Sequence, residues 1–177
     1  MTIRMTAWVA GLALGCAATA SQAANPASED ATLSNAKVSL SQAITVAEEQ
    51  GRGQAIDADY IPKQGTVGLY DIKVLSNDNK KLLDFHINPN DGRVVKATRQ
   101  RFEKVFTRIK PQDLQNAQTP LKGAIKTAEA QTGGKAVMAD TDRTGSSVRY
   151  TVKVAMADGT TEKIKINGAD GKVASAK

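Results

Sequence analysis

The sequence predicts an α+β protein of two repeated units, each one helix packed on a small antiparallel β-sheet, joined by a short amphipathic helix. Three observations lead there. Apolar residues fall at i, i+3, i+4 and i+7 in two places, Leu40, Ala43, Ile44 and Ala47, then Leu121, Ala124, Ile125 and Ala128, which is the stripe of a helix lying on a flat apolar surface. Each stripe is followed by stretches in which apolar and polar residues alternate, the period of a half-buried strand. The whole pattern recurs: Leu40 matches Leu121 (81 residues on), Tyr70 matches Tyr150 (80 on) and Ile87 matches Ile166 (79 on). Strands running on after a single helix indicate an antiparallel sheet covered on one face.

The 177 residues open with Arg4, an uncharged apolar run containing Trp8, Val9, Leu12 and Leu14, and a small-x-small site ending at Ala23. These are the parts of an export signal, here 1–23, whose apolar segment is too short to span a bilayer. The competing reading is a lipoprotein signal, because Ala13-Leu14-Gly15 precedes Cys16, the only cysteine; the chain would touch a membrane only if lipidated there. Cleavage after Ala23 discards that cysteine. Residues 24–37, rich in Ala, Ser, Asn and acids, read as a flexible leader.

The first unit is 38–98. Ser39 and Gln42 make a capping-box pattern and Gly51 a stop for its helix. Ile56, Ala58 and Tyr60 then alternate with Ala55, Asp57 and Asp59; Tyr70, Ile72 and Val74 with Asp71 and Lys73; Leu83, Phe85 and Ile87 with Asp84 and His86. Asn77-Asp78-Asn79 sits where a hairpin turn belongs, and Asn90-Asp91-Gly92 introduces a short final strand. The second unit is 119–177, with Thr119 as N-cap, Pro120 at the first helical position, Gly133 as terminator, a turn at Ala157-Asp158-Gly159 and a closing strand after Ala169-Asp170-Gly171. A unit of about 60 residues buries only roughly 60% of its extended surface. The two are expected to lean on each other.

Between them, 99–118 places Phe102, Val105, Phe106 and Ile109 at helical spacing, interleaved with Arg99, Arg101, Lys104, Arg108 and Lys110 and closed by Pro111. This predicts a basic connecting helix whose apolar stripe packs on the sheets while its basic face is solvated. An acidic partner would be met at Arg99, Arg101, Lys104 and Arg108. The formal charge of +6 concentrates accordingly: 38–98 carries 7 basic and 8 acidic residues, 99–118 carries 5 and 2, and 119–177 carries 10 and 6.

Catalytic chemistry is not evident. One His and one Cys cannot build a four-ligand structural zinc site, and a three-ligand site would need carboxylates beside His86. No nucleophile stands at a recognisable spacing, and the phosphate-cradling loop, the serine elbow and H-E-x-x-H are absent. The acids fall at turns and on alternating strand faces, where solvation accounts for them. Asp140-Thr141-Asp142-Arg143-Thr144-Gly145 resembles half a calcium loop, but Thr151 stands where the bidentate Glu belongs, so a polar hairpin turn is expected. Seven aromatic residues provide no stacking platform for nucleic acid. Catalytic residues, cofactor and metal are all expected to be none.

The repeated pattern is an A-I-x-x-A-E helix (Ala43-Ile44, Ala47-Glu48; Ala124-Ile125, Ala128-Glu129), then Tyr70-Asp71-Ile72-Lys73-Val74 or Tyr150-Thr151-Val152-Lys153-Val154, and a closing Asp91-Gly92-Arg93-Val94 or Asp170-Gly171-Lys172-Val173. It resembles the PepSY domain, in tandem. The resemblance implies a non-catalytic module of exported bacterial proteins and of peptidase propeptides, where it restrains peptidase activity. Its implied partner is a protein, a periplasmic or secreted peptidase, bound in the periplasm; since no peptidase is attached, inhibition would act in trans. An exposed sheet edge adding a strand to an extended peptide is a physical route to such binding. The alternative function is a small-ligand- or cation-responsive envelope protein using Asp140 and Asp142.

Overall fold

The computed structural model describes residues 33, 36–63, 66–79, 81–100 and 109–176. Helix α1 (Leu40–Gly51) leads into β1 (Gly53–Lys63), β2 (Thr66–Ser76), β3 (Leu82–Ile87) and β4 (Val94–Gln100). After the short α2 (Pro111–Gln115), helix α3 (Leu121–Thr132) leads into β5 (Lys135–Thr144), β6 (Ser147–Ala155), β7 (Thr161–Asn167) and β8 (Val173–Ala176). The α+β layer expected from the alternation is there, but its strands form one eight-stranded sheet in the order β4-β3-β2-β1-β5-β6-β7-β8. Both long helices pack on the sheet and touch each other, so they share one face.

The helices sit close because their buried stripes are half alanine: Ala43 and Ala47 beside Leu40 and Ile44, Ala124 and Ala128 beside Leu121 and Ile125. The sheet answers with Tyr70, Ile72 and Val74, then Tyr150, Val152 and Val154, all buried. Gly51 was expected to stop α1. It is instead buried in the last turn, where a Cβ would lie 2.9 Å from Val74 Cγ1 and 3.1 Å from Phe85 Cε2; Arg52 takes the left-handed C-cap at φ 47°. At α3 the boundary also moves by one residue. Pro120 is the N-cap, because Thr119 is tied to the sheet: its N–H donates to Gly168 O (3.0 Å) and its carbonyl accepts from the Tyr150 hydroxyl (2.7 Å). The Ser39–Gln42 capping box and the Gly133 terminator form as expected.

Alternation fails in one respect, and it fails twice in the same way. Ala55 and Ile56 are both buried because the β1–β2 register slips between Ala55 and Asp57; β5–β6 slips between Ala136 and Met138. A bulge leaves a backbone donor without a ladder partner. In each half a helical glutamate supplies the acceptor: Ala55 N donates to Glu48 Oε1 (3.1 Å) and Ala136 N to Glu129 Oε1 (2.9 Å).

The halves meet along β1 and β5, where Asp57 faces Asp140, Ala58 faces Ala139 and Asp59 faces Met138. Residues 81 apart occupy equivalent places, so Ala58 faces its own counterpart and the other two pairs exchange roles across it. This is the pattern of an isologous dimer contact, built here within one chain. Lys122 Nζ on α3 adds a 2.9 Å ion pair to Glu48 Oε2 on α1.

The stretch before each helix also corresponds. Leu33-x-Asn35-Ala36 matches Leu114-x-Asn116-Ala117; Leu33 and Leu114 are both buried, and the Ala36 and Ala117 amides donate to their carbonyls at 3.0 and 3.1 Å. Leu33, within the expected flexible leader, is therefore part of the core, with Ala36 packed against it. The connecting helix expected over 99–118 is corrected at its two ends only: Arg99 belongs to β4, opposite Leu83, and Pro111 opens α2 at a position where its missing N–H costs nothing. Arg101, Phe102, Lys104, Val105, Phe106 and Arg108 lie outside the described residues, as do the export signal, Cys16 and most of the leader.

Candidate functional site

Three features of the described residues are built for contact: a sheet edge, the helix-free face of the sheet, and a pair of clefts between the halves.

Strand β4 ends the sheet on one side and, among the described residues, pairs only with β3. Its residues are half-buried or exposed along its length, and Val95 is 61% exposed, one of two large apolar side chains among the described residues that reach solvent this way. Arg99 stands exposed on this edge. It is the one described member of the four basic residues expected to meet an acidic partner; Arg101, Lys104 and Arg108 lie outside the described residues.

The helix-free face is charged. Register places Asp71 opposite His86 and Lys73 opposite Asp84 on β2 and β3. Asp71, Asp84 and His86 each present a ligating atom within 4.8 Å of the others, with His86 Nε2 3.7 Å from Asp84 Oδ1. Asp84 is only 7% exposed. Its Oδ2 accepts from Gln100 Nε2 at 2.5 Å, while its Oδ1 and the Asp71 Oδ1 are buried with no donor. Burial, and after it the Asp84 carboxylate, push the Asp71 carboxyl well above the usual range. Asp59, next on this face, is raised by its own burial and then by Asp57, with Lys73 and Lys153 opposing. Lys73 is engaged by Asp57 at 2.9 Å.

Sequence reading missed this cluster, although part of its signal was present. Asp84 and His86 two apart on a strand share a face, and the hairpin at Asn77-Asp78-Asn79 brings Asp71 across. The expected solvation of Asp84 is corrected: it is buried. The polar hairpin turn expected over Asp140 to Gly145 forms only at the end of that stretch. Asp140, Thr141 and Asp142 are extended residues of β5, and the hairpin turns at Gly145-Ser146 instead.

The clefts form a matched pair. A cleft of about 340 Å³ is lined by Leu33, Val38 and Tyr70 of the first half with Glu129 and Ala136 of the second. A second of about 200 Å³ is lined by Leu114, Thr119 and Tyr150 with Glu48 and Ala55. In each, the tyrosine hydroxyl donates at 2.7 Å to a backbone carbonyl ahead of its own helix, Val38 O or Thr119 O.

No described helix is long and apolar enough to cross a membrane. The crystal structure of a "putative lipoprotein" from Clostridium difficile 630 is similar to the chain at 13% identity and a TM-score of 0.47, covering 80% of this chain and 93% of that one. No curated protein matches the sequence. The family model described as "Peptidase propeptide and YPEB domain" matches residues 37–98, the span holding α1, β1 to β3 and most of β4. Residues 37–98 of the chain are thus a PepSY domain.

Proposed function

We propose that the chain is an exported, non-catalytic binding protein of the periplasm that holds or inhibits a peptidase, or another envelope protein, through two PepSY modules. The family match at 37–98 supports the first module. Support for the second comes from the same helix-then-four-strands order, the same bulge with its glutamate acceptor, and the same tyrosine hydrogen bond. The export signal at 1–23 directs the chain to the periplasm.

The observation that carries the reading is the β4 edge. Seven residues of extended backbone, with Val95 exposed, can pair with an extended segment of a partner, main-chain bonds giving affinity and flanking side chains selectivity. Arg99 on the same edge favours an acidic residue in that segment. Titrating the purified protein into envelope peptidase activity is expected to lower it, and Val95→Asp is expected to weaken the effect at least about 10-fold while leaving stability within about 0.5 kcal/mol, as surface substitutions do. Unchanged peptidase activity at large excess, with no partner captured from the envelope, overturns the proposal.

A cation-responsive role is the second reading. Asp140 and Asp142 give it no loop, and the observation that favours it is the cluster of Asp71, Asp84 and His86.

A further inference from the structure

We infer that Asp71, Asp84 and His86 form a binding site for a divalent transition ion of the zinc class on the helix-free face of the PepSY domain. The site is tested by ion binding and the β4 edge by peptidase activity, so its failure and the failure of the peptidase reading are separate results.

The donor set comes first. Two carboxylates and one imidazole are a zinc-type ligand set, leaving a fourth position for water or a partner's side chain. An imidazole nitrogen suits zinc and its neighbours in the series rather than calcium or magnesium, which take oxygen. Two ligands on one ion at about 2.0–2.2 Å in a tetrahedral arrangement stand roughly 3.4 Å apart. His86 Nε2 and Asp84 Oδ1 are already at 3.7 Å, and all three donors lie within 4.8 Å. Small side-chain rotations close the set.

The second observation is Asp84 itself. It is more than nine-tenths buried, and its Oδ1, beside an equally donorless Asp71 Oδ1, faces into the cluster. A buried carboxylate oxygen without a donor costs several times what an exposed one does. Asp84 Oδ2 is meanwhile held by Gln100 Nε2 at 2.5 Å, from the adjacent strand. That is how the outer partner of a metal-bound carboxylate is arranged, fixing its orientation. The nearby cation Lys73 is bound to Asp57 at 2.9 Å and donates a hydrogen bond to neither of the two oxygens.

The second half supplies an internal control. In the same register, Thr151 faces Lys165 and Lys153 faces Lys163, so the places of Asp71, His86 and Asp84 hold Thr, Lys and Lys. That set repels a cation. Binding is thus expected at one site per chain.

His86 is the only histidine, so in a tag-free protein its ring gives one set of NMR resonances. Adding Zn²⁺ to the full chain is expected to shift or broaden that set saturably at one equivalent, and Co²⁺ to give the visible absorption of a four- or five-coordinate site. Calorimetric Zn²⁺ affinity is expected to fall at least about 10-fold in His86→Ala and in Asp84→Asn, and to stay unchanged in Lys163→Ala and Lys165→Ala. Ca²⁺ is expected to leave the ring resonances in place. The inference is overturned if Zn²⁺ leaves them unmoved in the wild-type chain, a readout that needs no variant to fold. It is also overturned if affinity survives His86→Ala intact, or if Ca²⁺ binds as tightly as Zn²⁺; the two acids then serve as a proton-sharing pair alone.

Discussion

The two halves are alike on the face the helices cover and unlike on the face they leave open. Under the helices the match extends to single hydrogen bonds: Glu48 and Glu129 each accept from a bulged alanine N–H, and Tyr70 and Tyr150 each donate at 2.7 Å to the chain ahead of the helix. On the open face, Asp71, Asp84 and His86 of the first half stand where the second has Thr151, Lys163 and Lys165. The formal charges follow, with 7 basic and 8 acidic residues over 38–98 and 10 and 6 over 119–177. The conserved part of the pattern is thus what builds the layer, and the part that differs is free of that duty. One inner difference is compensated in place. Tyr60 packs edge-on to Tyr70 at 5.7 Å and its hydroxyl accepts from Gly68 N at 3.1 Å; in the second half the place of Tyr60 holds the smaller Thr141 and that of Gly68 the larger Val148, both buried.

If the likeness is mechanical as well as geometric, truncating the same core position in either half should have the same consequence. Ile44 and Ile125 are fully buried equivalents on α1 and α3. Ile44→Ala and Ile125→Ala are each expected to cost about 2–5 kcal/mol, through lost burial and the cavity left behind. Because the halves share one sheet through β1 and β5 and their helices touch, both variants should shift a single cooperative urea transition. Two transitions, or loss of one half's signal alone, would show that the halves are separate folding units and break the comparison.

The bulge glutamates give a smaller effect and a finer test. Glu129→Ala leaves the Ala136 N–H without its acceptor, at an expected cost of about 1–3 kcal/mol. Glu48→Ala does the same to Ala55 and also removes the ion pair with Lys122, whose side chain is 39% exposed. That pair is screened by solvent, so the second variant should exceed the first by less than about 1 kcal/mol. Denaturation curves give the costs, and faster amide exchange at Ala55 or Ala136 ties each to its bond. Equal exchange in variant and wild type would remove the glutamate from the account.

These same residues show where sequence reading stopped. Helices, strand faces and most turns were legible because each is written in spacing within about ten residues. Ala55 was assigned to the polar face because a bulge shifts the period, and nothing in Gln54-Ala55-Ile56-Asp57 announces the extra residue. Gly51 was taken for a stop since closeness to Val74 and Phe85 is a fact of packing. Arg99 was assigned to a helix because an apolar stripe further along, at Phe102 to Ile109, fixed the period for the whole segment. The candidate site needed a register. Asp84 and His86 announce a shared face, but only the pairing of β2 with β3 decides that Asp71, rather than Asp57 or Asp59, completes the set.

The tyrosines set the last and smallest test, and they report on the contact between the halves. Burial raises the Tyr150 phenol to about 12, and the charge of Glu48, from the other half, adds to the shift. Tyr70 is raised further, by burial, then by Tyr60 and by Glu129 of the other half. An unfolded tyrosine ionises near 10. Above that pH the unfolded chain releases protons the folded chain retains, so stability present below pH 10 should fall as pH rises, continuing until the folded phenols themselves ionise. Tyr150→Phe and Tyr70→Phe are each expected to cost about 0.5–1.5 kcal/mol at neutral pH by losing the bond to Thr119 O or Val38 O, and to flatten the alkaline fall. Glu48→Gln should lower the ionisation of Tyr150 and leave Tyr70 in place, and Glu129→Gln should do the reverse, both read from tyrosinate absorbance in the single-tyrosine variants. If each glutamate instead acted on the tyrosine of its own half, the clefts would belong to separate units, and the exchange of partners across the β1–β5 contact would be wrong.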